Sequence, residues 1–392
     1  MKFIVVGIPN NIPTFSNRIK SIIAANTIFS GGKRHLGLVR QFLPEKHRWI
    51  TVQAPMESLY RAYEHCEEPI VVFASGNPLF YGMASTLLKK YPNAVMEVFP
   101  HFSAVQVLAH KTNTTCNNLE VVSVHGRPWK ELDVALLQQK ELFGVLTDQK
   151  NTPAMLAKRM LAYGYDNYRA ILGEDLESEQ EKITEFSLAD LCNYKASTLN
   201  CMLLRQLTKR KQFFGIRDSE FKGLPGRPNM ISKMPVRLTS LHFLDVCNKT
   251  VLWDIGFCTG SVSIEAKLKN PHLKVIAFEK RMECEEIMKE NMKKFGVPDI
   301  EMIMGDFFLA NIAELPVPDT IFIGGHGGRL NELMTALERL VPSGTTFVIN
   351  AVKEESKKQF IKSCNFLGLT QKGSTELTVD AHNTIRILSA EK

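Results

Sequence analysis

No stretch of the sequence approaches the roughly 18 consecutive apolar residues that a membrane-spanning helix needs, so no transmembrane segment is expected. Paired thiols are missing too. Cys66, Cys116, Cys192, Cys201, Cys247, Cys258, Cys284 and Cys364 form no Cys-x-x-Cys and no Cys/His cluster at zinc spacing. Scattered cysteines of this kind are expected to stay reduced, as in a cytoplasmic protein, and no metal site is expected. Met1-Lys2 and the short apolar run before Pro9 are too brief for a secretory leader and predict a strand that opens a domain. There is no internal repeat at a fixed period. What is present is an ordinary globular composition: 392 residues, 44% hydrophobic and 23% charged. That excludes a disordered chain, and the length predicts two or three globular units.

The net charge of +7 is not spread evenly. Between Arg205 and Arg237 lie nine basic residues and two acids, Asp218 and Glu220, so this segment alone carries +7 and the remainder sums to zero. Such a patch suits a polyanion (nucleic acid, an acidic membrane surface, or a small molecule with many carboxylates or phosphates) or is simply a solvated linker. Gly215, Gly223, Pro225, Gly226, Pro228 and Pro235 make the same stretch the best domain boundary, because that density breaks helices and strands. On either side the order returns. Strands are predicted at 3–8, 69–75, 94–100, 119–126, 142–148, 168–174 and 198–204, then at 250–256, 274–280, 300–306, 320–325 and 345–352. Amphipathic stretches such as 283–295 and 329–340 lie between them, which predicts βαβ units and mostly parallel sheets with ligands at the carboxyl ends of strands.

Asp254-Ile255-Gly256-Phe257-Cys258-Thr259-Gly260 follows one of these strands and opens a helix at 261–269. A glycine-rich turn there brings backbone and free N–H groups close to a ligand. A dinucleotide fingerprint fails at Cys258 and Ser261, whereas the Asp-x-Gly-x-Gly-x-Gly pattern of S-adenosylmethionine (SAM) methyltransferases fails at Cys258 alone. Glu279 ends the next strand and is placed for the ribose hydroxyls; Gly305-Asp306 ends the third and is placed for adenine. After the fourth strand, Ile323-Gly324-Gly325-His326-Gly327-Gly328 offers no amide and proline pair to hold an exocyclic amine, which weakens the nucleic-acid reading. His326 is expected to donate a hydrogen bond to a carboxylate. In the first half, Ala74 to Gly82 forms a sharp Gly-Asn-Pro turn leading into a helix, again suited to a small polar ligand.

Segment by segment, residues 1–207 resemble the C5-methyltransferases of cobalamin biosynthesis, which are tetrapyrrole methylases. The resemblance rests on GGKRHL (31–36), ASGNPLFYG (74–82), VFPHFSAVQ (98–106), VVSVHGR (121–127), LTDQKNTP (146–153) and LGEDLESEQEKI (172–183). Residues 212–392 resemble the C15-methyltransferase and C12 decarboxylase that acts beside them, through FFGIRDSEF (213–221), ISKMPVR (231–237), LWDIGFCTGSVSIEA (252–266), NMKKFGVPDIEMIMGDF (291–307), FIGGHGG (322–328) and VINAV (348–352). Together they look like the fused C5,15-methyltransferases (decarboxylating) of that pathway.

The resemblance implies an α/β chain in which a tetrapyrrole-methylase fold of two α/β subdomains (1–208) precedes a Rossmann-like class I SAM methyltransferase domain (209–392). It implies one SAM per domain. The cofactor contacts would be Gly76, Asn77, Pro78, Leu79, Ser103 and Ala104 in the first, and Ser232, Gly256, Phe257, Cys258, Thr259, Gly260, Glu279, Asp306 and Phe307 in the second. The substrate implied is a polycarboxylate tetrapyrrole, a precorrin or cobalt-precorrin, which would give the basic segment a partner without nucleic acid or membrane; a homo-oligomer is expected. His125, Arg127, Arg237 and His326 are the expected substrate contacts. Methyl transfer of this kind needs alignment and exclusion of water more than a strong base, in keeping with the lack of a Ser/His/Asp triad or paired catalytic carboxylates. The chain departs from the family at its first loop, Gly7-Ile8-Pro9-Asn10-Asn11 in place of Gly-Ile-Gly-Pro-Gly. It departs again at Asn77 in place of Asp, and at Pro100-His101-Phe102-Ser103-Ala104 in place of Pro-Gly-Ile-Ser-Ser. An RNA methyltransferase using the basic segment, or a scaffold with decayed cofactor sites, are the rival readings.

Overall fold

A computed structural model describes residues 1–227, 229–380 and 384–392; Pro228, one of the boundary prolines above, lies outside them. The chain forms two compact units. One comprises 1–128, 141–158 and 168–207; the other comprises 129–140, 159–167 and 208–392. Among the described residues no helix is long and apolar enough to cross a membrane.

The first unit holds two sheets. Strands β1 (Lys2–Ile8), β2 (Ile28–Gly31), β3 (Arg48–Thr51), β4 (Ile70–Ser75) and β5 (Val95–Phe99) pair in the order β3-β2-β4-β1-β5, all parallel. Helices cover both faces of such a sheet, so its central strands read as unbroken apolar runs, FIVVGI in β1 and IVVFA in β4. The loops that leave β1, β4 and β5 therefore meet at one edge.

In the second sheet, β6 (Glu120–Ser123), β7 (Leu142–Leu146), β8 (Tyr168–Glu174), β9 (Lys182–Ser187) and β10 (Asn200–Gln206) pair in the order β6-β7-β10-β8-β9. Only β6 and β7 are parallel; β10 runs antiparallel to both β7 and β8, and β9 antiparallel to β8. This sheet alone departs from the expectation of mostly parallel sheets. Strands β8 and β9 are joined by a short loop, too short for the helical crossover that a parallel pair requires.

The second unit carries one sheet of seven strands, β11 (Val251–Ile255), β12 (Lys274–Glu279), β13 (Ile300–Met304), β14 (Thr320–Ile323), β15 (Thr346–Ala351), β16 (Thr370–Leu377) and β17 (Ile385–Glu391). Their order is β13-β12-β11-β14-β15-β17-β16. The first five are parallel, and β17 and β16 close the sheet antiparallel. Alternate residues feed two cores on opposite faces: Leu252, Val275 and Val348 on one, Trp253, Ile276 and Phe347 on the other.

The basic segment is not a solvated linker. Ile216, Phe221 and Leu224 are buried in the first of these two cores, and Lys222, Lys233 and Arg237 pair with Glu290, Asp218 and Glu265. Two carboxylates from outside the segment, Glu265 and Glu290, offset two of its seven net positive charges.

Candidate functional site

In the second unit the turn after β11 owes its shape to two glycines. Gly256 has φ 84°, and a Cβ there would stand 2.6 Å from the backbone nitrogen of Gly325. Gly260 has φ 74° and opens the helix Ser261–Lys269. No side chain fits at Gly256 without moving backbone, so the turn and the loop after β14 are locked together; Gly324 and Gly325 both donate to the Ile255 carbonyl. Cys258 lies at φ 50°, a left-handed conformation that glycine adopts more easily, and its thiol donates to the Met230 carbonyl at 3.0 Å. The residue that departs from the family pattern thus keeps the glycine-like backbone.

Glu279, at the end of β12, is 4% exposed. Its Oε2 accepts from Cys258 N at 3.1 Å, while Oε1 accepts from Lys280 N, Arg281 N and the Arg281 guanidinium. The carboxylate is thereby held against the turn. Asp306, after β13, accepts from Phe308 N at 3.0 Å and lies 3.7 Å from the Arg329 guanidinium, which covers the Phe308 ring.

These ends surround a cavity of about 620 Å³. Ser232, Gly256, Phe257, Cys258, Thr259, Glu279, Asp306, Phe307 and His326 all line it; Gly260 stands behind them as the helix cap. Sequence reasoning gave no role to two further lining residues, Asp254 and Asn350. Asp254 Oδ1, Thr259 Oγ1, His326 Nδ1 and Asn350 Nδ2 are buried side-chain atoms without a partner, and all four residues line this cavity. Buried polar atoms are almost always satisfied, so these four call for a ligand group or an ordered water as partner. Asp254 was legible as the head of the glycine motif. Asn350 sat unremarked in the run VINAV, and nothing in its spacing marks it.

Burial pushes the Asp254 carboxyl up from 3.8 to about 7; the Ser263 hydroxyl at 2.5 Å opposes this, and nearby Glu279 adds to it. A carboxyl raised on folding binds more protons folded than unfolded. Its contribution to stability is fully present below about pH 4 and is lost as the pH rises through about 7. Asp254→Asn should therefore flatten the fall in thermal midpoint between about pH 4 and pH 7. An equal fall in both proteins would show that Asp254 ionises normally. Burial, then Lys353, lowers the His326 pKa, so its imidazole is neutral at neutral pH. Its Nε2 lies 3.3 Å from the Ser356 hydroxyl.

Arg237 is a correction. Its side chain is fully buried and absent from the cavity wall, and its guanidinium is committed to Glu265, Asp218 and the carbonyls of Ser232 and Ile216. It positions the segment carrying Ser232 and has no free face for a substrate.

In the first unit three loops converge. A Cβ on Gly7 would lie 2.1 Å from the Gly76 carbonyl and 2.7 Å from His101 N, and one on Gly76 (φ 59°) 3.2 Å from Ser103 Cα. Asn77 accepts from Leu79 N at 3.1 Å, which fixes the turn through Pro78, and Ser103 caps the helix Ala104–Lys111 with a reciprocal bond to Gln106. Gly76 to Leu79 and Ser103–Ala104 are thus brought together. No residue from Ile8 to Asn11 has a positive φ, so the loss of glycine in the first loop imposes no backbone strain. His125 and Arg127 are exposed; His125 Nδ1 lies 2.9 Å from the Thr147 carbonyl, and the Arg127 guanidinium sits 4.9 Å from the centre of the Tyr81 ring.

Residues 11–192 match the model of the tetrapyrrole (corrin/porphyrin) methylases, and residues 227–376 that of the precorrin methyltransferase domain. A precorrin-6Y C(5,15)-methyltransferase [decarboxylating] of Sinorhizobium sp is 30% identical over 352 residues, which is 89% of this chain and 84% of that protein. The chain belongs to the precorrin-6Y C5,15-methyltransferase family. Separate proteins of Salmonella typhimurium resemble parts of this family member. A cobalt-precorrin-7 C(5)-methyltransferase is 30% identical over 155 residues (39% of the chain, 74% of that protein). A cobalt-precorrin-6B C(15)-methyltransferase (decarboxylating) is 34% identical over 130 residues (32% and 66%).

Proposed function

We propose that the chain methylates a precorrin or cobalt-precorrin at C5 and C15 and decarboxylates its C12 acetate. Residues 1–208 would perform the C5 transfer and residues 209–392 the C15 transfer with decarboxylation, each with its own SAM site. The observation that carries this reading is the second unit's cavity at the carboxyl ends of the parallel strands, four of whose lining residues carry a buried, unpartnered polar atom. When bound, SAM supplies an electrophilic methyl group. The residues present fit it: Glu279 lines the cavity with one lone pair of Oε2 uncommitted, and Asp254 Oδ1 and Thr259 Oγ1 lack partners.

What remains for the chain is to align the acceptor carbon and keep water out. His326, neutral and with Nδ1 unpartnered, can donate to the acetate carboxylate if Ser356 donates to Nε2. The electrons released on loss of carbon dioxide pass into the conjugated macrocycle, so the protein needs no electron sink of its own. In the first unit, His125, Arg127 and the converging loops 76–79 and 103–104 are assigned to substrate and cofactor. Against the rival RNA reading stand the family to which the chain belongs and the absence of an amide and proline pair after β14.

Glu279→Ala tests the placement. It should weaken one of two SAM sites by about 1–3 kcal/mol, the scale of a lost hydrogen bond to a charged group, as read by calorimetry on the full chain. Two unchanged sites would remove Glu279 from the cofactor.

A further inference from the structure

The motif GGKRHL (31–36) builds a cluster that nothing above uses. It lies at the carboxyl ends of β2 and β4. Arg34 is half-buried. Its Nη1 donates to Asn10 Oδ1 and its Nη2 to Ser75 Oγ at 2.6 Å. Asp175 acts on it electrostatically, yet no carboxylate forms an ion pair with it among the described residues. His35 Nδ1 accepts from Gly32 N at 3.2 Å, so the ring proton sits on Nε2, which points at Ser75 Oγ from 2.9 Å. Burial, then the neighbouring Arg34, brings the His35 pKa down to about 4, so the ring is neutral and leaves one positive charge in the cluster. A hydroxyl has two lone pairs and one proton. With both lone pairs of Ser75 occupied by Arg34 and His35, its O–H is left to donate outward beside the unused N–H groups of Arg34. The cluster presents donors and a cation to solvent, at the mouth of the loop Gly76 to Leu79.

We propose that Arg34 and Ser75 form a carboxylate-binding subsite for an acetate or propionate arm of the tetrapyrrole, and that Asn10 positions it. The inference rests on the reading of the first unit as the C5-methyltransferase. Position in the sheet separates the substrate from the cofactor. In the order β3-β2-β4-β1-β5, the assigned cofactor residues Ser103 and Ala104 follow β5, while Arg34 follows β2 on the far side of β4 and β1; Ser75 directly precedes the assigned cofactor loop Gly76 to Leu79, so the subsite borders the cofactor there and the SAM measurement below tells the two apart. Asn10 stands where the family pattern carries proline, which has no side-chain acceptor. In this chain the amide oxygen turns the guanidinium fork, and the departure in the first loop has a use in the substrate site.

The test is made on the full chain, with C5 methylation, carbon dioxide release and SAM affinity measured on each variant. Arg34→Gln should raise KM for the tetrapyrrole in C5 transfer by about tenfold or more, the scale of a lost charge-assisted pair. SAM affinity and carbon dioxide release should stay as in the wild type, the former, with both SAM sites retained, showing that the first unit is folded. Arg34→Lys should fall between, because it restores the charge without the fork. Asn10→Ala should raise KM less than Arg34→Gln does. An unchanged KM in Arg34→Gln would overturn the subsite, as would a loss confined to SAM affinity, which would hand the guanidinium to the cofactor. A wild-type chain with no C5 transfer at all would overturn the C5 reading and the subsite together.

Discussion

Arg237→Leu is expected to destabilise the second unit by about 3–5 kcal/mol, the range for removing one partner of a buried ion pair. The guanidinium has no exposed surface, and Glu265, which it meets through Nε, is only 5% exposed. Glu265 would keep its bond from Ile216 N at 2.6 Å and lose the compensating charge. Four further attachments would go with it: Asp218 at 3.2 Å, the carbonyls of Ser232 and Ile216, and the face of the Phe221 ring at 5.0 Å. Because these tie residues 216–232 to the helix Met234–Phe243, the wall of the cavity that contains Ser232 should loosen as well. Urea unfolding of the second unit's transition reads the effect. A change under about 1 kcal/mol would mean that Arg237 is dispensable and that its burial does not organise the segment.

Arg237 also marks where the sequence stopped being informative. In one dimension it was one of nine basic residues in a Gly/Pro-rich stretch. Only the fold shows that Glu265, on the helix after the glycine turn, lies against it. The parallel strands of the third sheet were legible because strands buried on both faces read as apolar runs, as in VLWDI and KVIAFE. The strands that escaped notice lack that signal. Strands β2 and β3 have four residues each, and β16, TQKGSTEL, is an edge strand with largely exposed residues. Gly256, Glu279 and Asp306 could be found because a strand end followed by glycine or a carboxylate is a local pattern. Asn350 could not, since its place depends on β15 lying next to β14.

Gly256→Val should lower C15 methylation and carbon dioxide release by about a hundredfold or more, the penalty for displacing a bound ligand by about an ångström. At φ 84° a β-branched residue is strained, and its Cβ would run into the backbone of Gly325, which has no flexible end to yield. Either the turn opens or the loop after β14 moves, and both form the cavity. The corresponding change in the first unit is Gly7→Val, whose Cβ would meet the Gly76 carbonyl at 2.1 Å. It should abolish C5 transfer while sparing the second unit's chemistry.

Carbon dioxide is the most direct readout, because methyl counts alone do not assign an activity to a unit. The wild-type chain, Gly7→Val and Gly256→Val would each be incubated with SAM and a precorrin, with and without cobalt. Carbon dioxide would be measured and the products weighed by mass spectrometry. Two separate sites predict carbon dioxide and a single methyl, at C15, from Gly7→Val, and carbon dioxide release cut about a hundredfold or more in Gly256→Val. Carbon dioxide released at the wild-type rate by Gly256→Val, or lost in a folded Gly7→Val, would contradict the division of labour and require the two halves to share one site.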